Sequence, residues 1–276
     1  MMSRSGRPKK RLGQHFLTHA AIIQDILHAC RFNPDDTVLE IGPGKGALTI
    51  PLASMVSHLY AVEKDSDLIQ VLDLKIARAG LSNITLIHDD ILRFDLAEIA
   101  PVPSPKIGVI GNLPYNISSP CLEKLMRHRS AITHAILMFQ REVASRLSAS
   151  PGEKAYGAMT VLVRYYAKIV PLIKVPRNAF FPRPKVDSTV LEIDFESPYP
   201  RSAENEAVFV KVVKGAFSHR RKTLMNSLKR FFPFLHDDEL QRCLEGCGID
   251  PRRRAETLHM DEFLCLADKL PLTNEV

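Results

Sequence analysis

One stretch restricts what this chain can fold into more than any other. Thr37-Val38-Leu39-Glu40-Ile41 is a short, mostly apolar run that reads as a strand; Gly42-Pro43-Gly44-Lys45-Gly46 follows without a break, and 47–55 reads as a helix. Strand, glycine loop and helix in that order open a doubly wound α/β sheet. The glycines let backbone approach a ligand where a Cβ would collide. The next strand, 59–63, ends in Glu63, about twenty residues past the glycines, the separation at which a carboxylate meets a ribose diol. The glycines recur at intervals of two and two, whereas the nicotinamide-dinucleotide fingerprint places its third glycine three positions after the second, so that a helix can crowd a pyrophosphate. Lys45 resembles the lysine of a phosphate-binding loop, but no Ser or Thr follows it and the glycine spacing is wrong. A ligand with an adenosine and no pyrophosphate fits better, and S-adenosylmethionine is the candidate.

The strands that follow put polar residues on the same rim. After a helix over 66–79, strand 83–88 ends at Asp89-Asp90, where an acid is placed to accept from an adenine amine. The buried-looking run Ile107-Gly108-Val109-Ile110-Gly111 then delivers Asn112-Leu113-Pro114-Tyr115. An amide, a proline and an aromatic build a core badly and hold a flat, amine-bearing ring well. The Asn carbonyl accepts hydrogen bonds, Pro fixes the backbone and donates nothing, and Tyr offers a face for stacking. Gly42, Glu63, Asp90 and Asn112 thus stand at the carboxyl ends of four strands, where open α/β sheets bind ligands.

Helices over 120–128, 141–147 and 157–166 and a strand over 135–140 continue the pattern, with a polar loop at 148–156. Strands 169–175 and 190–195 close the sheet, separated by Phe180-Phe181-Pro182-Arg183-Pro184-Lys185. Two aromatics between prolines and cations suggest a second wall for a base, with Arg183 and Lys185 near phosphate. After Ser197-Pro198 strand patterning stops and helical patterning runs to the end. The expected domains are therefore 1–197, opening with a flexible basic arm over 1–12, and 198–276. The net charge of +6 is concentrated: no acid interrupts 211–230, which carries Lys211, Lys214, Arg220, Arg221, Lys222, Lys229 and Arg230, and Arg252-Arg253-Arg254 follows. Such clustering on an amphipathic segment points to phosphate contact. Five cysteines without framework spacing imply free thiols in a reducing compartment. No stretch is long and apolar enough to span a membrane, and no metal-ligand set stands out.

With these residues assembled, the chain resembles the small-subunit ribosomal RNA adenine N6,N6-dimethyltransferase family over nearly its whole length. The carrying segments are Gly13-Gln14-His15-Phe16-Leu17, Glu40-Ile41-Gly42-Pro43-Gly44, Val62-Glu63, Asn112-Leu113-Pro114-Tyr115-Asn116-Ile117-Ser118, the run from Phe180 to Ser188, and Phe217-Ser218-His219-Arg220-Arg221-Lys222-Thr223-Leu224. The resemblance implies a Rossmann-like methyltransferase domain with a small all-helical C-terminal domain. It implies methyl transfer from S-adenosylmethionine to two adjacent adenosines near the 3′ end of small-subunit ribosomal RNA, within a pre-ribosomal particle, by a cytoplasmic monomer. By that carry-over His15 (where the family usually has Asn or His) and Leu17 line the cofactor pocket. Gly42 and Gly44 approach the methionine end, Glu63 the ribose and Asp90 the adenine. Asp90 is preferred to Asp89 because the family's acid precedes an apolar pair, here Ile91-Leu92. Asn112 and Leu113 accept the target amine, and Pro114, Tyr115 and Phe180 complete the base site. Arg183, Lys185, Arg220, Arg221, Lys222, Lys229 and Arg230 meet RNA.

Three other readings compete: an assembly factor that keeps the fold without the chemistry, a nicotinamide-linked oxidoreductase, and a methylase of large-subunit RNA. The intact set Glu63, Asp90, Asn112 and Tyr115 opposes the first, the glycine spacing the second, and the Arg220-Arg221-Lys222 block the third.

Overall fold

In the computed structural model, which describes residues 8–100, 102 and 105–270, a two-residue strand, β1 (Phe16–Leu17), precedes α1 (Ala20–Ala29). Then β2 (Thr37–Ile41), α2 (Thr49–Ala53), β3 (His58–Glu63), α3 (Ser66–Ala79) and β4 (Ile84–His88) alternate. They are followed by β5 (Ile107–Asn112), α4 (Ser118–Arg127) and β6 (Ile132–Gln140). The chain next forms α5 (Arg141–Ser148) and α6 (Ala158–Tyr166), and returns through β7 (Lys168–Val175), β8 (Phe180–Phe181) and β9 (Ser188–Asp194). Four helices end it: α7 (Glu206–Ala216), α8 (Leu224–Phe231), α9 (Asp237–Gly246) and α10 (Met260–Lys269).

The main sheet has the order β4-β3-β2-β5-β6-β9-β7. The first five strands pair in parallel and β9 runs antiparallel to β6. The central strands are covered on both faces, which is why β2 and β5 are buried at consecutive positions rather than alternately; Val38, Leu39 and Val109 are each 0% exposed. From β2 the chain winds outward to β3 and β4, then crosses back to β5 on the other side of β2. That reversal opens a crevice beyond the carboxyl ends of β2 and β5. Element ends follow local chemistry where caps are present. The Asp65 side chain accepts from Asp67 N at the start of α3, and Gly80 ends the helix at φ 65°, the left-handed stop that glycine adopts without penalty.

The chain divides into two compact units, Met1–Ala144 with Ile169–Glu196, and Ser145–Lys168 with Ser197–Val276. The boundary expected after residue 197 therefore needs correcting at its other end, because 145–168 belongs with the C-terminal helices. Tyr156, Val161, Leu162 and Tyr165 are buried in one core with Phe209, Val213, Leu228 and Phe263. The Tyr165 and Phe209 rings lie 4.3 Å apart, and Tyr165 Oη accepts from Ala203 N at 3.2 Å. A linear reading divides a chain by position; the apolar face of α6 divides it by what covers that face.

Two further expectations change. Cys247 and Cys265 form a disulfide where free thiols were expected, because α9 and α10 pack in the same core and bring together two positions with no recognisable spacing. Cys30, Cys121 and Cys243 are free. In the run 252–254, Arg252 pairs with Asp250 at 3.0 Å, and Arg253 binds Glu262 and the Thr257 carbonyl, so both are committed to the fold of their own unit. No helix among the described residues is long and apolar enough to cross a membrane.

Candidate active site

The crevice at the topological switch is a cavity of about 490 Å³, within the range of small-ligand pockets. The loop after β2 forms its floor. Gly42 and Gly44 hold φ of 68° and 58°, which side chains disfavour. A Cβ on Gly44 would press on the Phe16 ring at 3.2 Å, while one on Gly42 would meet nothing within 4 Å and would project into open space. Lys45 lies over the Phe16 ring, 4.8 Å from its centroid, in a cation–π contact.

Glu63, at the end of β3, is tied inward at both oxygens. Oε2 accepts from Gly44 N at 3.1 Å and Oε1 from Asp65 N at 2.9 Å. Burial raises its pKa, opposed by those backbone bonds. Each oxygen keeps a second lone pair for a hydroxyl. Asp90, after β4, lines the same cavity with Asp89. Its Oδ2 accepts from Lys64 Nζ at 2.7 Å and its Oδ1 from Leu92 N at 3.1 Å. Burial alone would raise the Asp90 pKa; these partners outweigh it and hold the group below the usual aspartate value.

Two features of the cofactor side escaped the sequence reading. Glu40, on β2, lines the cavity and is 2% exposed. Burial pushes its pKa up to about 7, tempered by neighbouring Thr49 and reinforced by the charge of Glu63. Its Oε2 has no hydrogen-bond partner among the described residues. The acid was visible beside the glycines, but a strand position gave no sign that one oxygen is left unpaired. The second feature is the segment before β1. Residues 1–7 of the expected basic arm lie outside the described residues, yet 8–12 is not loose: Lys9 Nζ bonds Asp65 at 2.5 Å and Asp67 at 2.7 Å, and Gln14 Nε2 donates to Asp65 at 2.9 Å. Burial would raise the Asp65 pKa, but Lys9, Gln14 and the Asp67 backbone together lower it.

The other end of the cavity is built by the motif after β5. Asn112 Nδ2 donates to the His15 carbonyl at 3.0 Å, which fixes the amide and leaves Oδ1 as an acceptor. Pro114 O is taken by Ile117 N at 3.0 Å, whereas Leu113 O accepts no hydrogen bond among the described residues. Leu113 as a whole is 1% exposed and lines the cavity from within the wall. Tyr115 is half-buried with its hydroxyl 3.1 Å from Ser188 Oγ; burial raises its pKa, countered by that bond. The His15 ring stands 5.6 Å from the Tyr115 ring. His15 Nδ1 lies 2.7 Å from the Pro182 carbonyl; a carbonyl only accepts, so Nδ1 is the donor of that bond.

His15, Leu17, Gly42, Gly44, Glu63, Asp90, Asn112, Leu113, Pro114 and Tyr115 all line this one cavity, as the sequence led one to expect. Phe180 does not. It is 4% exposed and packed in the core with Leu17, Ile26 and Val175, because β8 pairs with β1 in the register Leu17↔Phe180 and Phe16↔Phe181 and successive side chains point to opposite faces. The exposed member is Phe181, at 62%. Arg183, Lys185, Arg220, Arg221, Lys222, Lys229 and Arg230 are all exposed. Arg220 bonds the Lys154 carbonyl and Lys229 pairs with Asp237.

Comparison with known proteins points the same way. A family described as ribosomal RNA adenine dimethylase matches residues 6–271. The ribosomal RNA small subunit methyltransferase A of Desulforapulum autotrophicum is 44% identical over 262 residues, covering 95% of this chain and 92% of that protein. The protein of the same name from Geobacillus thermodenitrificans is 40% identical over 267 residues, covering 95% and 90%. Among solved structures, a dimethyladenosine transferase from Plasmodium falciparum superposes with a TM-score of 0.77 at 26% identity, covering 91% of this chain and 96% of that one. The 23S rRNA methyltransferase ErmE gives 0.71 at 25%, covering 92% and 99%.

Proposed function

The chain belongs to the ribosomal RNA adenine dimethylase family, and from that premise we propose which of its residues carry the reaction. The activity is transfer of methyl groups from S-adenosylmethionine to adenine N6 amines of small-subunit ribosomal RNA. The finer target, two adjacent adenosines near the 3′ end, met within a pre-ribosomal particle by a monomer in the cytoplasm, is part of the proposal.

The residues present suit the cofactor. Glu40 Oε2 is a buried carboxylate oxygen without a partner among the described residues, and a methionine ammonium would satisfy it. Gly42 leaves space where any side chain would intrude. Glu63 would accept from the ribose hydroxyls, and Asp90 from the adenine amine. When bound, the cofactor supplies an already activated methyl group, so the protein's task is at the acceptor.

An adenine amine is a weak nucleophile because its lone pair is delocalised into the ring. Asn112 Oδ1 and Leu113 O are the acceptors available to its two hydrogens. Bonds to both draw the nitrogen out of the ring plane and turn its lone pair into the cavity. Tyr115 supplies one stacking face, at about 1–3 kcal/mol per stacked base, against a cost of a few kcal/mol to take the base out of its own stack. Holding the two reactants in register contributes much of the rate. The proton leaves an acidic ammonium after transfer, and no side chain need remove it. A singly methylated amine keeps one hydrogen bond and turns, so Asn112 and Leu113 need not both be engaged in the second round.

The observation that carries this assignment is the Asn112 amide on the cavity wall, whose Nδ2 is held by His15 O so that Oδ1 is left as an acceptor. Asn112→Ala is expected to lower methyl transfer to under-methylated small subunits by about 100-fold or more, the scale of losing an oriented donor or acceptor at a reacting centre, with RNA affinity unchanged. Near-normal transfer by that variant would make the motif structural. Label from S-adenosylmethionine should enter small subunits and not large ones.

A further inference from the structure

We infer that Phe231 and Phe234 form a stacking platform on the helical unit for an unpaired nucleobase of the RNA, a nucleotide site additional to the one that holds the target adenine. The inference rests on the reading of the substrate as RNA.

The segment Phe231-Phe232-Pro233-Phe234-Leu235 joins α8 to α9. Phe232 and Leu235 are each 7% exposed and anchor it in the core, whereas Phe231 and Phe234 remain 40% and 48% exposed. Phe232 stands edge-on to both exposed rings, 5.3 Å from Phe231 at 70° and 5.9 Å from Phe234 at 84°, while Pro233 stiffens the backbone between them. One buried ring thus braces two exposed ones. Phe231 is seated against α7 at Gly215, where a Cβ would stand 2.9 Å from the ring; a glycine there lets the helix backbone lie under the phenyl group.

The elements that carry and underlie this pair, α7 and α8, present cations. Lys211, one helical turn before Gly215, and Lys214, beside it, are exposed on α7, and Lys229 and Arg230 are exposed at the end of α8. Beyond the aromatics α9 opens with Asp237, Asp238 and Glu239, and Asp237 pairs with Lys229 at 2.5 Å, so Lys211, Lys214 and Arg230 are the cations that would meet phosphate. Exposed rings flanked by cations are what single-stranded RNA demands, with phosphates held electrostatically and bases stacked on aromatic faces.

The chain contains no tryptophan, so full-length protein carrying Phe234→Trp has one emitter, at this position. Short oligoadenylate is expected to quench it, and an abasic oligomer with the same number of phosphates is not. Phe234→Ala should weaken oligoadenylate binding by about 5- to 100-fold, the range set by one lost stack, and raise KM for small subunits while kcat holds. Equal quenching by the abasic oligomer would overturn the inference. So would unchanged oligoadenylate affinity in both Phe234→Ala and Phe231→Leu, or a shift in sedimentation showing that the patch mediates self-association. If the unaltered chain transferred no methyl to small subunits, the functional reading would fail instead, while the tryptophan signal would still report on stacking.

Discussion

Glu40 shows how one residue can link the fold to the ligand. It sits in β2, an interior strand of the sheet, with one oxygen unpartnered among the described residues, and burial raises its pKa from the ordinary 4.5 to about 7. The folded chain therefore holds a proton that the unfolded chain has lost between those values. Stability falls as pH rises across that window, and the whole penalty is present above about pH 7. Glu40→Gln should remove that fall: urea midpoints of the two proteins converge near pH 4.5 and separate towards pH 8, by at most ~3 kcal/mol. The same substitution should weaken cofactor binding, because the ammonium loses its counter-charge. Calorimetry in buffers of different ionisation enthalpy checks this, since binding near pH 7 should release a proton only when Glu40 is present. Glu63 and Asn112 were legible in the sequence because each ends a strand on the ligand rim. The burial of Phe180 was not legible, because which of two adjacent aromatics faces the core depends on register with β1, fixed by residues more than a hundred and fifty positions away.

At the scale of elements, the segment running from Lys9 into β1 acts as a strap across the site. It bonds the loop after β3 through Lys9 and Gln14, the end of β5 through the His15 carbonyl, and β8 through strand pairing and the Thr18–Ala179 contacts. The Lys9–Asp65 latch has a pH range that follows from its shifts. The lowered Asp65 pKa contributes stability above the ordinary 3.8 and loses it as pH falls, and the raised Lys9 pKa contributes below 10.5 and loses it as pH rises. Lys9→Met should weaken cofactor binding by about threefold to tenfold at neutral pH and lower Tm, with Lys9→Arg restoring most of both. Unchanged cofactor affinity in Lys9→Met would mean that the strap is only a terminus at rest. Regular elements were readable because their signals are local: α3 begins after a capping aspartate and ends before a left-handed glycine. The strap was not, because every bond that defines it joins residues remote in the chain.

At the scale of the molecule, the mostly parallel α/β sheet and the helical C-terminus follow from patterning, whereas the membership of 145–168 departs from it. A fragment ending at residue 197 is expected to be insoluble, because Tyr156, Val161, Leu162 and Tyr165 would lose Phe209, Val213 and Phe263 as cover. Restoring 198–276 as a separate polypeptide should recover solubility, and a soluble, monomeric 1–197 fragment on gel filtration would refute the assignment. The two units are interleaved along the chain, each begun before the other is complete. During synthesis, β7 and β9 cannot join the sheet until α6 has emerged, and α6 then waits for α7 and α10. The nascent chain must therefore carry an uncovered apolar helix while the residues from α7 to α10 are made. Codon usage and chaperone traffic across the stretch after Lys168 should matter more for its yield than any substitution near the cavity.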